Sequence, residues 1–228
     1  MPRDILDRKI RHLLDELLVM ESMVENATID AVEALKQQDL NKAKKVYNFD
    51  QEINARRFEI ENDVIITIAT QQPIMAGDLR LIASILEVVG ELERMGDYAK
   101  GIAKICLMIG KEPHIKPLID IPKMSVIVVD MLHRAASAFV NLDVEAARKI
   151  PDDDDQVDAL YNLVYQELIQ VIIKDTSTVD QANHLMWAAH NLERMADRVT
   201  NICERTIYSA TGQLFEIDVT DDENLQIP

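Results

Sequence analysis

The sequence predicts an all-α protein that is organised as two tandem three-helix bundles. Its 228 residues are 48% hydrophobic and include only 6 glycines and 7 prolines, a composition typical of helices and unfavourable to a turn-rich β fold. Apolar residues recur at intervals of three and four, as between Leu81 and Ile102, which indicates helices with one buried face. Two long portions of the chain also repeat one another. The apolar content is sufficient for a packed core.

The repeat is clearest in one six-residue segment. The sequence Leu-Glu-Arg-Met-Gly-Asp at 92–97 recurs as Leu-Glu-Arg-Met-Ala-Asp at 192–197, one hundred residues later. Upstream the offset is 104 residues, since Asp50 corresponds to Asp154. Internal repetition over this length indicates two copies of one structural unit.

Prolines at 113, 117 and 122 separate the two copies, because proline cannot continue a helix. We therefore predict a first repeat at 1–110, a linker at 111–122, a second repeat at 123–212 and a mobile acidic tail at 213–228. The predicted helices are 4–37, 40–70 and 78–109 in the first repeat, and 123–141, 144–173 and 179–209 in the second.

Polar residues mark several predicted helix starts. Asp39 and Asp143 precede the second helix of each repeat, and Ser177 or Thr178 precedes the last helix. Such side chains accept hydrogen bonds from the free N–H groups of the first turn. Pro151, followed by four aspartates, is consistent with a helix that restarts with an acidic first turn.

Charge and motif content exclude several classes of function. The net charge of −16 disfavours direct binding to nucleic acid or to anionic lipid. No apolar run reaches the roughly 18 residues that span a bilayer, and the N-terminus lacks the apolar core of a secretory signal, so we expect a cytoplasmic protein without direct membrane insertion. Cys106 and Cys203 lie in apolar helical segments and are expected to be buried free thiols. No nucleophile motif or phosphate loop occurs, and we expect no enzymatic activity.

Each repeat carries an acidic Glu-x-x-x-Asp pair, Glu93 with Asp97 and Glu193 with Asp197. At 100° per residue, both members of a pair lie on one helix face, nearly opposite the apolar stripe. Like charges at this spacing destabilise a helix by a few tenths of a kcal/mol, so their repetition suggests that a cation offsets them. A solvated face, neutralised by the arginine that follows each glutamate, is the simpler interpretation of either pair alone.

The second helix of each repeat adds further ligands to this face. Counting outward from the turn near Ile74, antiparallel packing brings Asp50 and Asn54 to the level of Asp97 and Glu93. Three or four carboxylates without cysteine favour Mg, Ca, Mn or iron over zinc. In the second repeat the corresponding residues are Asp154, Asp158, Glu193, Asp197 and Asn201, with His190 either a further ligand or a hydrogen-bonding residue. The remaining histidines are interpreted as structural or surface residues: His12, His114, His133 and His184.

This ordered set of motifs resembles the PhoU family of phosphate-transport regulators over about residues 1–212. The resemblance implies a cytoplasmic accessory protein of the phosphate-specific ABC transporter, which represses phosphate-starvation genes when phosphate is plentiful. It implies action through the transporter ATPase and a membrane sensor histidine kinase. It also implies a homodimer that carries multinuclear iron, with manganese, magnesium or zinc as alternatives, on the surface of each bundle.

The resemblance assigns metal ligation to the two acidic pairs, supported by Asp50, Asp154 and Asp158. Asn54 stands where the second repeat has Asp158, and Gly101 stands where it has Asn201, so we expect a weaker first site. Two alternatives remain open. One is a carboxylate-bridged metalloenzyme, against which the absence of a Glu-x-x-His motif counts. The other is a metal-free structural or assembly bundle.

Overall fold

The computed structural model describes residues 2–214, 216 and 217 of the chain. These residues form seven α-helices and two short 3₁₀ helices, and they include no strand, which confirms the all-α prediction. None of the described helices is both long enough and apolar enough to cross a membrane. The helices are α1 Pro2–Gln37, α2 Leu40–Thr70, α3 Ala76–Ile109, α4 Asp120–Asn141, α5 Val144–Lys149, α6 Asp154–Lys174 and α7 Val179–Thr211, with 3₁₀ helices at Ile150–Asp153 and Thr176–Thr178.

The two repeats share one continuous hydrophobic core. In the middle, α1 and α7 each contact both α3 and α4, while α2 packs on α1 and α3, and α6 packs on α4 and α7. The most extensive helix pair is α3 with α7, which joins the repeats. These two helices run antiparallel, since Glu87 contacts Arg205 at 2.6 Å and, further along, Glu91 contacts Asn201 at 3.2 Å.

The turn between the first two helices of each repeat has the same geometry in both copies. Gln38 and Leu142 adopt left-handed backbone conformations with φ of 55° and 53°. The following Asp39 and Asp143 each donate their N–H at 2.9 Å to the carbonyl oxygen five residues earlier. Their side chains then accept hydrogen bonds from the first turn of α2 and of α5, as predicted for N-caps. The 104-residue offset is therefore visible in the backbone.

Two sequence predictions need correction, and a third holds in position but not in its hydrogen bond. Helix α4 begins at Asp120 rather than at 123, because Pro122 lies in the first turn, where no N–H is required. The predicted helix 144–173 is interrupted by the 3₁₀ helix around Pro151, which cannot donate an N–H to the helical ladder. Thr178 is the N-cap residue of α7, as predicted, but its side chain makes no capping hydrogen bond, and Asp175, which caps the preceding 3₁₀ helix, accepts the Ser177 N–H at 3.0 Å.

The acidic tail predicted at 213–228 lies mostly outside the described residues. Its described part returns to the bundle. The N–H of Ile217 donates to the Glu204 carboxylate on α7 at 2.8 Å, and the Ile217 side chain packs against the core.

Candidate metal centres

The first acidic cluster lies between α2 and α3. Asp50 of α2 is only 4% exposed, and Asn54, one turn later, donates its amide to Asp50 Oδ2 at 3.2 Å. Lys100 Nζ of α3 lies 2.6 Å from Asp50 Oδ2 and 3.6 Å from Asp97 Oδ1. Asp50 Oδ1 is buried and accepts no hydrogen bond from the described residues. The structure therefore brings Asp50, Asn54 and Asp97 together, with a lysine inserted among them.

Glu93 completes this cluster one turn before Asp97. The Arg57 guanidinium lies 3.3 Å from Glu93 Oε2 and also binds Glu61 at 2.7 Å. Burial raises the pKa of Glu93, Arg57 opposes this, and the Asp97 and Asp50 carboxylates raise it further. Burial and the nearby Asp50 carboxylate likewise raise the pKa of Asp97. In both groups the charged form is disfavoured first by burial and then by neighbouring carboxylates.

The second cluster lies between α6 and α7. Asp154, in the first turn of α6, is 1% exposed, and Asp158, one turn later, is half-buried. On α7, Glu193 Oε2 lies 3.1 Å from His190 Nδ1, and Arg194 donates to Asp197 at 3.2 Å. Burial, followed by the charge of Arg194, lowers the pKa of His190, so the imidazole is neutral at physiological pH and retains a nitrogen lone pair.

The two clusters share one helix register. In the first repeat, Arg57 of α2 lies next to Glu93. In the second repeat, Tyr161, which comes 104 residues after Arg57, lies next to Glu193. Burial raises the pKa of Tyr161, and the charge of Glu193 raises it further. Asp154 of α6 therefore corresponds in position to Asp50 of α2. By the same register, Asp154 and Asp158 of α6 are expected at the level of Glu193 and Asp197 of α7.

The second cluster lacks the two cations that lie in the first. Tyr161 replaces Arg57, and Thr200 replaces Lys100. Thr200 is buried, and its Oγ1 makes no hydrogen bond with the described residues. Sequence reasoning missed this contrast, although Lys100 three residues after Asp97 and Thr200 three after Asp197 could have revealed it. At these two positions the second cluster therefore has uncharged side chains where the first has cations.

Asn201 and Gly101 belong to a different environment. Asn201 donates its amide to Glu91 Oε2 of α3 at 3.2 Å, across the interface between the repeats. At the related point of the same interface, a Cβ added to Gly101 would lie 2.7 Å from Asn191 Nδ2. The Asn201 amide therefore binds a residue of α3 and does not belong to the carboxylate cluster. The Gly101 and Asn201 difference therefore reflects helix packing, and the two clusters differ instead at the positions of Asn54, Lys100 and Arg57.

The donor chemistry of the second cluster fits a hard cation. Carboxylate oxygens from two helices, a buried Asp154 and a nearby neutral imidazole are ligands that iron and manganese accept. In the first cluster, the Lys100 ammonium group already forms ion pairs with Asp50 and Asp97.

Comparison with known proteins identifies the family. The PhoU domain model matches residues 17–106 and 121–206. The chain belongs to the PhoU family. The two matches begin 104 residues apart and end 100 residues apart, which are the two offsets found in the sequence repeat. Each repeat is therefore one PhoU domain.

Relatives of this PhoU protein match almost its whole length. The phosphate-specific transport system accessory protein PhoU homolog of Clostridium acetobutylicum is 38% identical over 97% of this chain and 100% of its own. The phosphate-specific transport system accessory protein PhoU of Escherichia coli is 31% identical over 91% of this chain and 86% of its own. The crystal structure of the phosphate transport system regulatory protein PhoU from Streptococcus pneumoniae superposes with a TM-score of 0.85, at 29% identity, over 93% of this chain and 100% of that one.

Proposed function

We propose that this protein is an accessory regulator of phosphate uptake whose acidic clusters bind metal ions. The observation that carries the regulatory part is the match, along nearly the full chain, to PhoU proteins named as accessory components of the phosphate-specific transport system. In this proposal the protein works in the cytoplasm as a homodimer and contacts the transporter ATPase subunit and a sensor histidine kinase. It represses the phosphate-starvation response when phosphate is abundant.

The metal part of the proposal assigns unequal roles to the two clusters. The second cluster is the stronger site for iron or manganese. It has four carboxylates, and it has threonine and tyrosine at the positions of Lys100 and Arg57. The first cluster carries its own cations in Lys100 and Arg57 and binds metal only in competition with them. A bound ion would supply positive charge to the carboxylates of α6 and α7 and so hold these two helices together.

A catalytic role has less support. In di-iron bundle enzymes the metal ligands face the interior between the helices. Here each cluster combines a buried aspartate, Asp50 or Asp154, with carboxylates nearer the outer face of the helix pair, where Asp97 keeps 51% of its side chain exposed. The described residues of both clusters include carboxylates, amides and cationic groups but no arrangement of a nucleophile with its base. We therefore propose no enzymatic reaction.

Gene deletion with complementation tests the regulatory proposal. Deletion should raise the expression of a phosphate-starvation reporter in phosphate-rich medium, and the parent gene should restore repression. A Glu193→Ala, Asp197→Ala variant should fail to restore it, while Glu145→Ala, at a side chain that is 88% exposed, should restore it fully. A deletion strain with unchanged phosphate-responsive expression would refute the regulatory role. Full repression by the double variant would instead refute only the contribution of the metal.

A further inference from the structure

A third group of metal-binding side chains lies between the repeats, away from both acidic clusters. Glu21 and Glu25 project from α1, one turn apart, and His133 projects from α4. His133 Nδ1 lies 3.5 Å from Glu21 Oε1 and 3.3 Å from Glu25 Oε1. One ligand atom from each residue can be chosen such that all three atoms lie within 4.8 Å of one another.

The two carboxylates of this group lack the neutralising partners that buried acids require. Glu21 is 4% exposed, and the Oε1 atoms of Glu21 and Glu25 are buried without a hydrogen-bond partner among the described residues. Within those residues no lysine or arginine nitrogen lies within 4.0 Å of either glutamate, and both carboxyl groups contact His133. Burial and the adjacent Glu25 carboxyl raise the pKa of Glu21 to about 8. A buried oxygen without a donor, aimed at an imidazole, is therefore available to a cation.

The fold itself does not require these residues. At the 104-residue offset, the counterparts of Glu21 and Glu25 are Ser125 and Val129 on α4, and the counterpart of His133 is Ile29 on α1. The related position in the α1–α4 interface therefore has an isoleucine, a valine and a serine, and the Ser125 hydroxyl donates to its own helix at 2.8 Å. Only one of the two related positions in the α1–α4 interface therefore has two acids and a histidine. Because the other position packs without them, these residues indicate a ligand and not a packing requirement.

The ligand types indicate the class of ion, and two of the three ligand spacings fit it. A tetrahedral zinc ion has ligands at about 2.0–2.1 Å, which places the ligand atoms roughly 3.3 Å from one another. The two imidazole-to-carboxylate distances, 3.3 and 3.5 Å, agree with that spacing. A nitrogen and two oxygens are ligands for zinc or a similar divalent transition metal, whereas magnesium prefers oxygen alone.

We propose that Glu21, Glu25 and His133 bind one Zn²⁺ ion, which links the first repeat to the second through α1 and α4. The side chain of His133 is 70% exposed, so the fourth coordination position opens to water. This site differs from the carboxylate clusters in its ligands, in its helices and in its preference for zinc over magnesium. It does not depend on the proposed regulatory function.

Equilibrium dialysis against Zn²⁺ in the presence of excess Mg²⁺, followed by elemental analysis, tests this proposal. The parent should bind one more equivalent of Zn²⁺ than a His133→Ala variant, and the rise in Tm on adding Zn²⁺ should be smaller in the variant. The matched control is His12→Ala, because His12 is also exposed, at 60%, and lies 3.9 Å from the carboxylate of Asp63 alone. This control should bind as much Zn²⁺ as the parent.

A Glu21→Gln variant keeps the side-chain shape and removes the charge, so it should lose the same equivalent. Should it fail to fold, the exposed His133→Ala substitution still decides the question. Equal Zn²⁺ in the parent and in His133→Ala would overturn the proposal.

Discussion

Replacing Lys100 with threonine gives the first repeat the residue that the second repeat carries at the same position. Lys100 lies 2.6 Å from the buried Asp50, so the change leaves that carboxylate without its cation. Removing one partner of a fully buried pair costs about 3–5 kcal/mol. Because the Lys100 side chain is 32% exposed and water screens the pair, we expect a loss of about 2 kcal/mol in the free energy of unfolding. For a chain of this size the Tm should fall by roughly 4–8 °C.

The assay is urea unfolding followed by circular dichroism, in chelator and in Mn²⁺. The matched control is Lys104→Thr, an exposed lysine on the same helix, which should lose only the few tenths of a kcal/mol expected from helix propensity. Mn²⁺ should restore the stability of Lys100→Thr, because the ion takes the place of the ammonium group. Equal urea midpoints for the two variants in chelator, or no recovery in Mn²⁺, would refute the view that Lys100 substitutes for a metal.

Three further predictions concern packing and titration. Gly101→Ala should change stability by less than about 1 kcal/mol in thermal unfolding, since Asn191 Nδ2, which would lie 2.7 Å from the new Cβ, is the movable end of a side chain, and alanine favours a helix interior over glycine by about 1 kcal/mol. Burial raises the pKa of Cys106 to about 11 and that of Cys203 to about 12, so neither thiol should react with a disulfide reagent at pH 8 until urea is added. Glu21 has a pKa of about 8 in the folded protein, whereas an unfolded glutamate loses its proton near pH 4.5. The free energy of unfolding, measured in chelator, should therefore decrease as the pH rises from 4.5 to 8, by at most about 1.4 kcal/mol per pH unit. Glu21→Gln should remove this dependence.

The fold could be predicted from the sequence because its signals are local or repeated. The 3.6-residue apolar period, the capping Asp39 and Asp143, and the offset between repeats each specify structure within a few turns of helix. The sequence predicts a helix restart at Pro151 but not a separate 3₁₀ helix, and it places Pro122 in the linker although proline fits a first helical turn. Boundaries of this kind depend on which N–H groups the surrounding structure leaves unused.

The acidic clusters could be predicted only in part. The spacing of Glu93 and Asp97, together with the repeat, led to the correct face and to its neighbours on α2, whereas the insertion of Lys100 depends on a side-chain conformation that no periodicity encodes. Asn201 shares a helical line with Glu193 and Asp197, yet its amide turns to the neighbouring repeat. The group around His133 was missed altogether, because its residues lie on two helices that meet only through the packing of one repeat on the other.

Elemental analysis of the purified protein after exposure to iron and manganese tests the metal proposal most directly. Three proteins should be compared: the parent, a Glu93→Ala, Asp97→Ala variant and a Glu193→Ala, Asp197→Ala variant. We expect stoichiometric metal in the parent, most of it retained by the first variant and nearly all of it lost from the second. Trace metal in all three proteins, or equal metal in the parent and the second variant, would contradict the assignment of the α6–α7 carboxylates as the principal metal centre.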